Sequence, residues 1–189
     1  MRNTNHARGM TLMELLVGIA ILAILLAVGV PSLREWIIQQ RVKAIASELV
    51  TDLQLARSES ITRNFAIRVS FKSSPSLTCY TVHTGRGILF QECDCTLPAG
   101  TACNGRGLSE VKTVTVPAVS GVTIMPAAPP NNFVEFGENA RFSLTAGVPV
   151  TISDGGSKTL VVATSALVQR PSVCIPAGSS MAGFPSCAP

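Results

Sequence analysis

Sixteen consecutive apolar or glycine residues, Leu15 to Val30, constrain this chain more than any other feature. Extended back to Met10 and on to Pro31, the stretch has 22 residues and is broken only by Thr11 and Glu14. A bilayer core needs about 20 residues of helix, so the stretch can span once. The nine residues before it carry Arg2 and Arg8 and no acid. The positive-inside rule keeps such a leader cytoplasmic and sends the chain beyond the span to the other side.

A conventional secretory signal would end in a small-residue cleavage site after its apolar core. Here the chain continues Pro31-Ser32-Leu33-Arg34, with no Ala-x-Ala pattern. The small residue at a usable boundary is Gly9, ahead of the apolar stretch, and a cut there leaves the hydrophobic helix on the mature chain. Glu14 bears on the same choice. A carboxylate inside a membrane helix costs ~2.5–3.5 kcal/mol on insertion scales, less near an interface. It can be hydrated at headgroup level, or it can pair with a positive group. After a cut at Gly9, the new α-amino group of a neighbouring subunit's Met10 is a natural counter-charge.

Gly9-Met10-Thr11-Leu12-Met13-Glu14 resembles the type IV prepilin N-terminal motif: glycine, a hydrophobic residue, Thr-Leu, any residue, glutamate. The resemblance implies that a membrane-bound prepilin peptidase cuts between Gly9 and Met10 and that Met10 becomes N-methylated. Phenylalanine is usual where this chain has Met10. Pro31 stands where many pilins carry a proline that kinks or loosens the helix, since proline removes one helix hydrogen bond.

Beyond Pro31, Ile38, Val42, Ile45, Leu49, Leu53 and Ala56 recur every three or four residues, one apolar stripe fit to pack on a sheet. The opposite face is expected to carry Arg34, Arg41, Lys43, Glu48, Asp52, Arg57 and Glu59. One helix is predicted over 11–62. After Asn64 the period becomes two: Phe65, Ile67, Val69 and Phe71 alternate with smaller or polar residues, as in a half-buried strand. Leu77–His83 and 88–91 flank Thr84-Gly85-Arg86-Gly87, which reads as a hairpin. Weaker strand signals occur at 111–116, 121–125, 132–136, 140–144, 149–152 and 159–164. The tail 171–189, rich in Pro, Ser, Gly and Ala, is expected to be irregular.

The predicted fold class is therefore α+β. The segments are a leader (1–9), a transmembrane or filament-core helix (10–31), an amphipathic stem half (32–63), a β head (64–170) and a tail (171–189). This architecture is similar to that of pilins. Leu55-Ala56-Arg57-Ser58-Glu59-Ser60, Arg63-Asn64, Phe136-Gly137, Phe142-Ser143-Leu144 and Leu160-Val161-Val162 resemble the GspH/FimT group of minor pilins and pseudopilins. That resemblance implies a subunit of a type IV pilus or type II secretion pseudopilus. Its partners would be other pilin subunits and the prepilin peptidase. It would sit in the inner membrane by a single pass, with a periplasmic head, and Glu14 would serve assembly.

Six cysteines, Cys79, Cys93, Cys95, Cys103, Cys174 and Cys187, suit a disulfide framework outside the cytoplasm. Cys79 and Cys93 stand at nearly mirrored distances from the 84–87 turn, so they can pair across the hairpin, with Cys95–Cys103 closing the next loop. Cys79–Cys95 with Cys93–Cys103 is the alternative, and Cys174–Cys187 staples the tail in either case. Zinc on Cys79, Cys93, Cys95 and Cys103 is disfavoured, because paired Cys-x-x-Cys knuckles are missing. No cofactor or metal is expected.

No enzyme is expected. His83 is the one histidine beyond the leader, and no nucleophile motif or phosphate-binding Gly-Lys-Ser/Thr loop accompanies it. A lone strand histidine of this kind is expected to be a surface or packed residue. DNA is the alternative partner. Some FimT proteins bind DNA through a C-terminal Gly-Arg-x-Arg motif, but the matching stretch here, 166–172, has one arginine, Arg170, and no glycine. Arg86 and Arg106, each inside a Gly-Arg-Gly triplet, are the other candidates. From residue 64 on there are 8 basic and 6 acidic residues, few for a surface whose affinity comes from phosphate contacts.

Overall fold

The computed structural model describes residues 11–84, 93–103, 107–126, 132–137, 149–164 and 170–187. They fall into two units, one ending at Ile37 and the other beginning at Ile38.

Helix α1 (Leu12–Arg63) runs without a break through Pro31. It stops at Asn64, whose φ of 49° is left-handed. There the Asn64 N–H donates to the Ile61 carbonyl at 3.4 Å, and the Phe65 N–H reaches back to the Ser60 carbonyl at 3.2 Å. This is a Schellman stop, in which two otherwise orphaned carbonyls are satisfied. Asparagine tolerates that backbone better than most residues do.

From Leu12 to Ile37 every side chain described is exposed, aliphatic ones included. In the second unit one stripe of the helix is buried instead: Val42, Ala46, Leu49, Leu53, Ala56 and Ser60. Those spacings of three and four keep a single face turned inward.

The strands are β1 (Ile67–Ser73), β2 (Leu77–Thr84), β3 (Ser109–Pro117), β4 (Thr123–Pro126), β5 (Phe133–Phe136), β6 (Val150–Ser153), β7 (Thr159–Thr164) and β8 (Pro171–Cys174). They form two four-stranded antiparallel sheets, ordered β3-β2-β1-β5 and β4-β6-β7-β8. Alternate residues point into one core, as the two-residue period requires. Ile67, Val69 and Phe71 of β1, Val134 and Phe136 of β5, Val150 and Ile152 of β6, and Leu160 and Val162 of β7 join the helix stripe there. The sheets are tied where Thr78 Oγ1 of β2 accepts the Ile124 N–H of β4 at 3.1 Å.

Three expectations change. Both edges of β2 are occupied, by β1 and by β3. The hairpin drawn between Leu77–His83 and 88–91 therefore has no edge of β2 to pair with, and 85–92 lie outside the described residues, as does the strand expected at 140–144. The tail does not begin irregularly. Pro171–Cys174 forms edge strand β8 on β7, with Val173 opposite Val162. Proline is tolerated at the first residue of an edge strand, and this run is too short and polar to show a period. Finally, Asp52 belongs to the buried side of α1, at 3% exposure.

Candidate assembly site

The first turn of α1 is built around Thr11 and Glu14. Thr11 Oγ1 accepts the Glu14 N–H at 3.2 Å, while Glu14 Oε2 accepts the Thr11 N–H at 3.2 Å and the Thr11 hydroxyl at 3.3 Å. The Leu15 N–H closes the first helical bond onto the Thr11 carbonyl at 3.2 Å. This is a capping box: threonine at the N-cap and glutamate three residues on satisfy each other's backbone donors. The carboxylate also lies at the positive end of the helix dipole. Both of its bonds use Oε2, so among the described residues Oε1 has no partner. Gly9 and Met10 lie outside the described residues.

Behind this cap comes an unbroken apolar surface. Leu12, Met13, Leu16, Ile19, Leu22, Ile24, Leu25, Leu26 and Leu33 are each more than half exposed. The helix is long and apolar enough to cross a membrane. A helix apolar all round is stable where something other than water surrounds it.

The second unit is held partly by polar contacts. Tyr80 Oη donates to Asp52 Oδ2 at 2.7 Å, and Lys112 Nζ reaches the Asp52 carboxylate at 2.8 Å and Glu48 Oε1 at 3.0 Å. Lys112 thereby bridges the Glu48/Asp52 pair and offsets the repulsion of like charges one helical turn apart. Burial, and then the Asp52 hydrogen bond and charge, push the Tyr80 phenol far above its ordinary range. Burial lowers the Lys112 ammonium, but the Asp52 and Glu48 carboxylates outweigh it and hold the pKa above its usual value. Asp52 is thus a buried anchor, where its charge suggested a place on the solvated face. Its position three residues after Leu49 and four before Ala56 is the signal that marks it.

His83, 1% exposed, is packed. Its Nε2 meets Ser70 Oγ at 2.9 Å, and Nδ1 meets the Thr84 carbonyl at 3.3 Å. Burial pushes its pKa below the ordinary value.

The disulfides are Cys79–Cys95, Cys93–Cys103 and Cys174–Cys187. The pairing across a hairpin, Cys79–Cys93 with Cys95–Cys103, is thus replaced by the alternative. The cause is local: the Asp94 N–H donates to the Ala102 carbonyl at 2.7 Å, which sets Cys93 beside Cys103 with Cα atoms 4.5 Å apart. Cys95 is left to reach Cys79 on β2. The tail pair stands as expected.

Of the candidate DNA contacts, Arg86 and Arg106 lie outside the described residues. Arg170 is exposed. With Gln54, Arg57, Ser58, Ile61 and Pro171 it lines a cleft of about 340 Å³.

A long N-terminal helix packed on antiparallel sheets, with an apolar capped start, defines the class of type IV pilin-like proteins. A model of the prokaryotic N-terminal methylation motif matches residues 4–30. The chain belongs to the GspH family, described as type II transport protein GspH, whose model matches residues 46–166. No curated protein and no solved structure matches it.

Proposed function

We propose that this chain is a minor subunit of a type IV pilus or type II secretion pseudopilus, cut between Gly9 and Met10 and N-methylated on Met10. One observation carries this reading: the helix from Leu12 onward exposes apolar side chains all round, directly behind a capped carboxylate. The membrane covers that surface before assembly, with the head in the periplasm, and neighbouring helices cover it afterwards. Oε1 of Glu14 then receives the α-amino group of a neighbour's Met10. The pair forms as both groups leave water for an apolar core, in which an unpaired charge is most costly. Pro31 loosens the helix where the filament-core segment ends, because it cannot donate to the carbonyl four residues earlier. The head supplies partner choice and no catalysis.

The test is processing and incorporation. Gly9→Val should leave the leader attached, read by intact mass. Glu14→Ala should leave the head folded and keep the subunit out of sheared filaments. A shortened Gly9→Val protein, or normal incorporation of Glu14→Ala, contradicts the assignment.

A second reading, DNA uptake, is favoured by one observation, the cleft that Arg170 shares with Arg57. A gel shift across a salt series tests it. Retardation at low salt that is lost in Arg170→Ala supports it, and retardation indifferent to Arg170 does not.

A further inference from the structure

We propose that His83, Cys93 and Cys103 form a site for a soft divalent cation such as Zn²⁺ once the Cys93–Cys103 bond is reduced. The same three residues then hold either a disulfide or a metal. Their ligand atoms all lie within 4.8 Å of one another. Ligands at ~2.0–2.3 Å from one tetrahedral ion stand roughly 3.3–3.8 Å apart, so the imidazole must close in by about 1 Å while the two sulfurs, about 2 Å apart in any disulfide, separate by roughly 1.8 Å. Imidazole and thiolate are the donors zinc prefers. His83 and Cys93 are each 1% exposed and Cys103 is half-buried, so the site lies just under the surface with one side open.

The ring is already oriented. Ser70 Oγ holds one nitrogen and the Thr84 carbonyl the other. Whichever nitrogen turns to the ion, the second keeps a partner, the arrangement that fixes ligating histidines elsewhere. A backbone bond that uses no sulfur atom, from the Asp94 N–H to the Ala102 carbonyl, also joins the two arms of the loop. A water fills the fourth position.

The exchange conserves atoms and electrons. A dithiol gives two electrons and two protons to the disulfide, leaving thiols on Cys93 and Cys103 and its own disulfide behind. The ion then displaces the two thiol protons, and the imidazole adds a lone pair. In the oxidised chain neither sulfur is a thiolate, so metal and disulfide exclude each other. A bound ion would close the 93–103 loop in a chain not yet oxidised. This inference is independent of filament assembly.

The experiment titrates the full chain in detergent with Co²⁺ under anaerobic conditions, after reduction with dithiothreitol and its removal. Tetrahedral thiolate-cobalt bands should saturate at one ion per chain and be absent from the oxidised chain. His83→Ala should weaken Co²⁺ binding at least about tenfold, since even losing a partner of a ligand costs 10–100-fold. Cys93→Ser/Cys103→Ser should abolish the bands, and Cys79→Ser/Cys95→Ser should keep them. Near-ultraviolet circular dichroism of Tyr80 should show the reduced chain still folded before metal is added. Absent bands, bands indifferent to His83, bands dependent on Cys79 and Cys95, or bands only from a chain that has lost the Tyr80 signal would each overturn the proposal.

Discussion

Tyr80 and Asp52, 28 residues apart in sequence, meet at 2.7 Å inside the head, phenol to carboxylate. The bond joins the buried stripe of α1 to the middle of β2, and Lys112 of β3 bonds the same carboxylate. Removing Asp52 takes a partner from both neighbours, whereas removing the Tyr80 hydroxyl leaves Asp52 still paired with Lys112. Tyr80→Phe should cost ~1.5–3 kcal/mol, the range for a hydrogen bond to a charged group. Asp52→Ala should cost more, because it leaves the buried Tyr80 hydroxyl without an acceptor and takes from Lys112 the more buried of its two carboxylates. Denaturant midpoints of the two variants should fall in that order; equal midpoints would show that the carboxylate contributes nothing beyond its bond to Tyr80.

The helix stop gives a sharper test. At Asn64 the φ of 49° costs an ordinary residue ~1–2 kcal/mol. Asn64→Val should lower stability by about that amount, while Asn64→Gly should match the parent. Thermal unfolding of the three chains distinguishes them.

Glu14 has two separable roles, and glutamine separates them. Glu14→Gln can still complete a capping box, since glutamine serves at that position. It cannot neutralise an α-amino group. The variant should keep the helix start and lose filament incorporation. Incorporation at the parental level would reduce Glu14 to a cap.

Acid should act in two windows. Burial holds the folded His83 pKa below its ordinary 6.5, so below pH 6.5 the unfolded chain takes up a proton that the folded chain refuses. Stability therefore falls as pH drops through that region. Asp94 is held below 3.8 by the Thr96 hydroxyl and N–H, then by Lys72. Glu110 feels burial pushing it up, but the Gly100 and Ala102 N–H groups and the Thr113 hydroxyl hold it below 4.5. These carboxylates stabilise the fold above those values and stop doing so as pH falls through the lower folded ones. Unfolding midpoints should drop in two steps on acidification. His83→Gln should remove only the first.

The tail pair can be tested alone. Cys174→Ser/Cys187→Ser frees a 13-residue separation, worth ~3 kcal/mol in the chain-entropy account. Because β8 is an edge strand, the loss should be local. Limited proteolysis between 175 and 186 should accelerate well before global unfolding.

Periodicity made the helix and most strands legible. Val42, Leu49, Leu53 and Ala56 announced the buried stripe, and Leu160 and Val162 announced β7. The features that stayed hidden depended on partners distant in sequence. Asp52 looks solvated until Tyr80 and Lys112 arrive from other elements. Cys93 takes Cys103 because one backbone bond folds the intervening loop. Strand β8 exists because β7 offers an edge, which a four-residue run cannot advertise.

The order of the strands carries one more consequence. After β4 joins one sheet, the chain crosses to complete the other with β5, then returns to lay β6 beside β4. The two sheets are thus interleaved along the chain: β4 of the second precedes β5, the last strand of the first. A nascent head halted after β4 lacks an edge of the first sheet and nearly all of the second. Because the interleaved sheets also share one core with the helix, the head should melt in a single cooperative step.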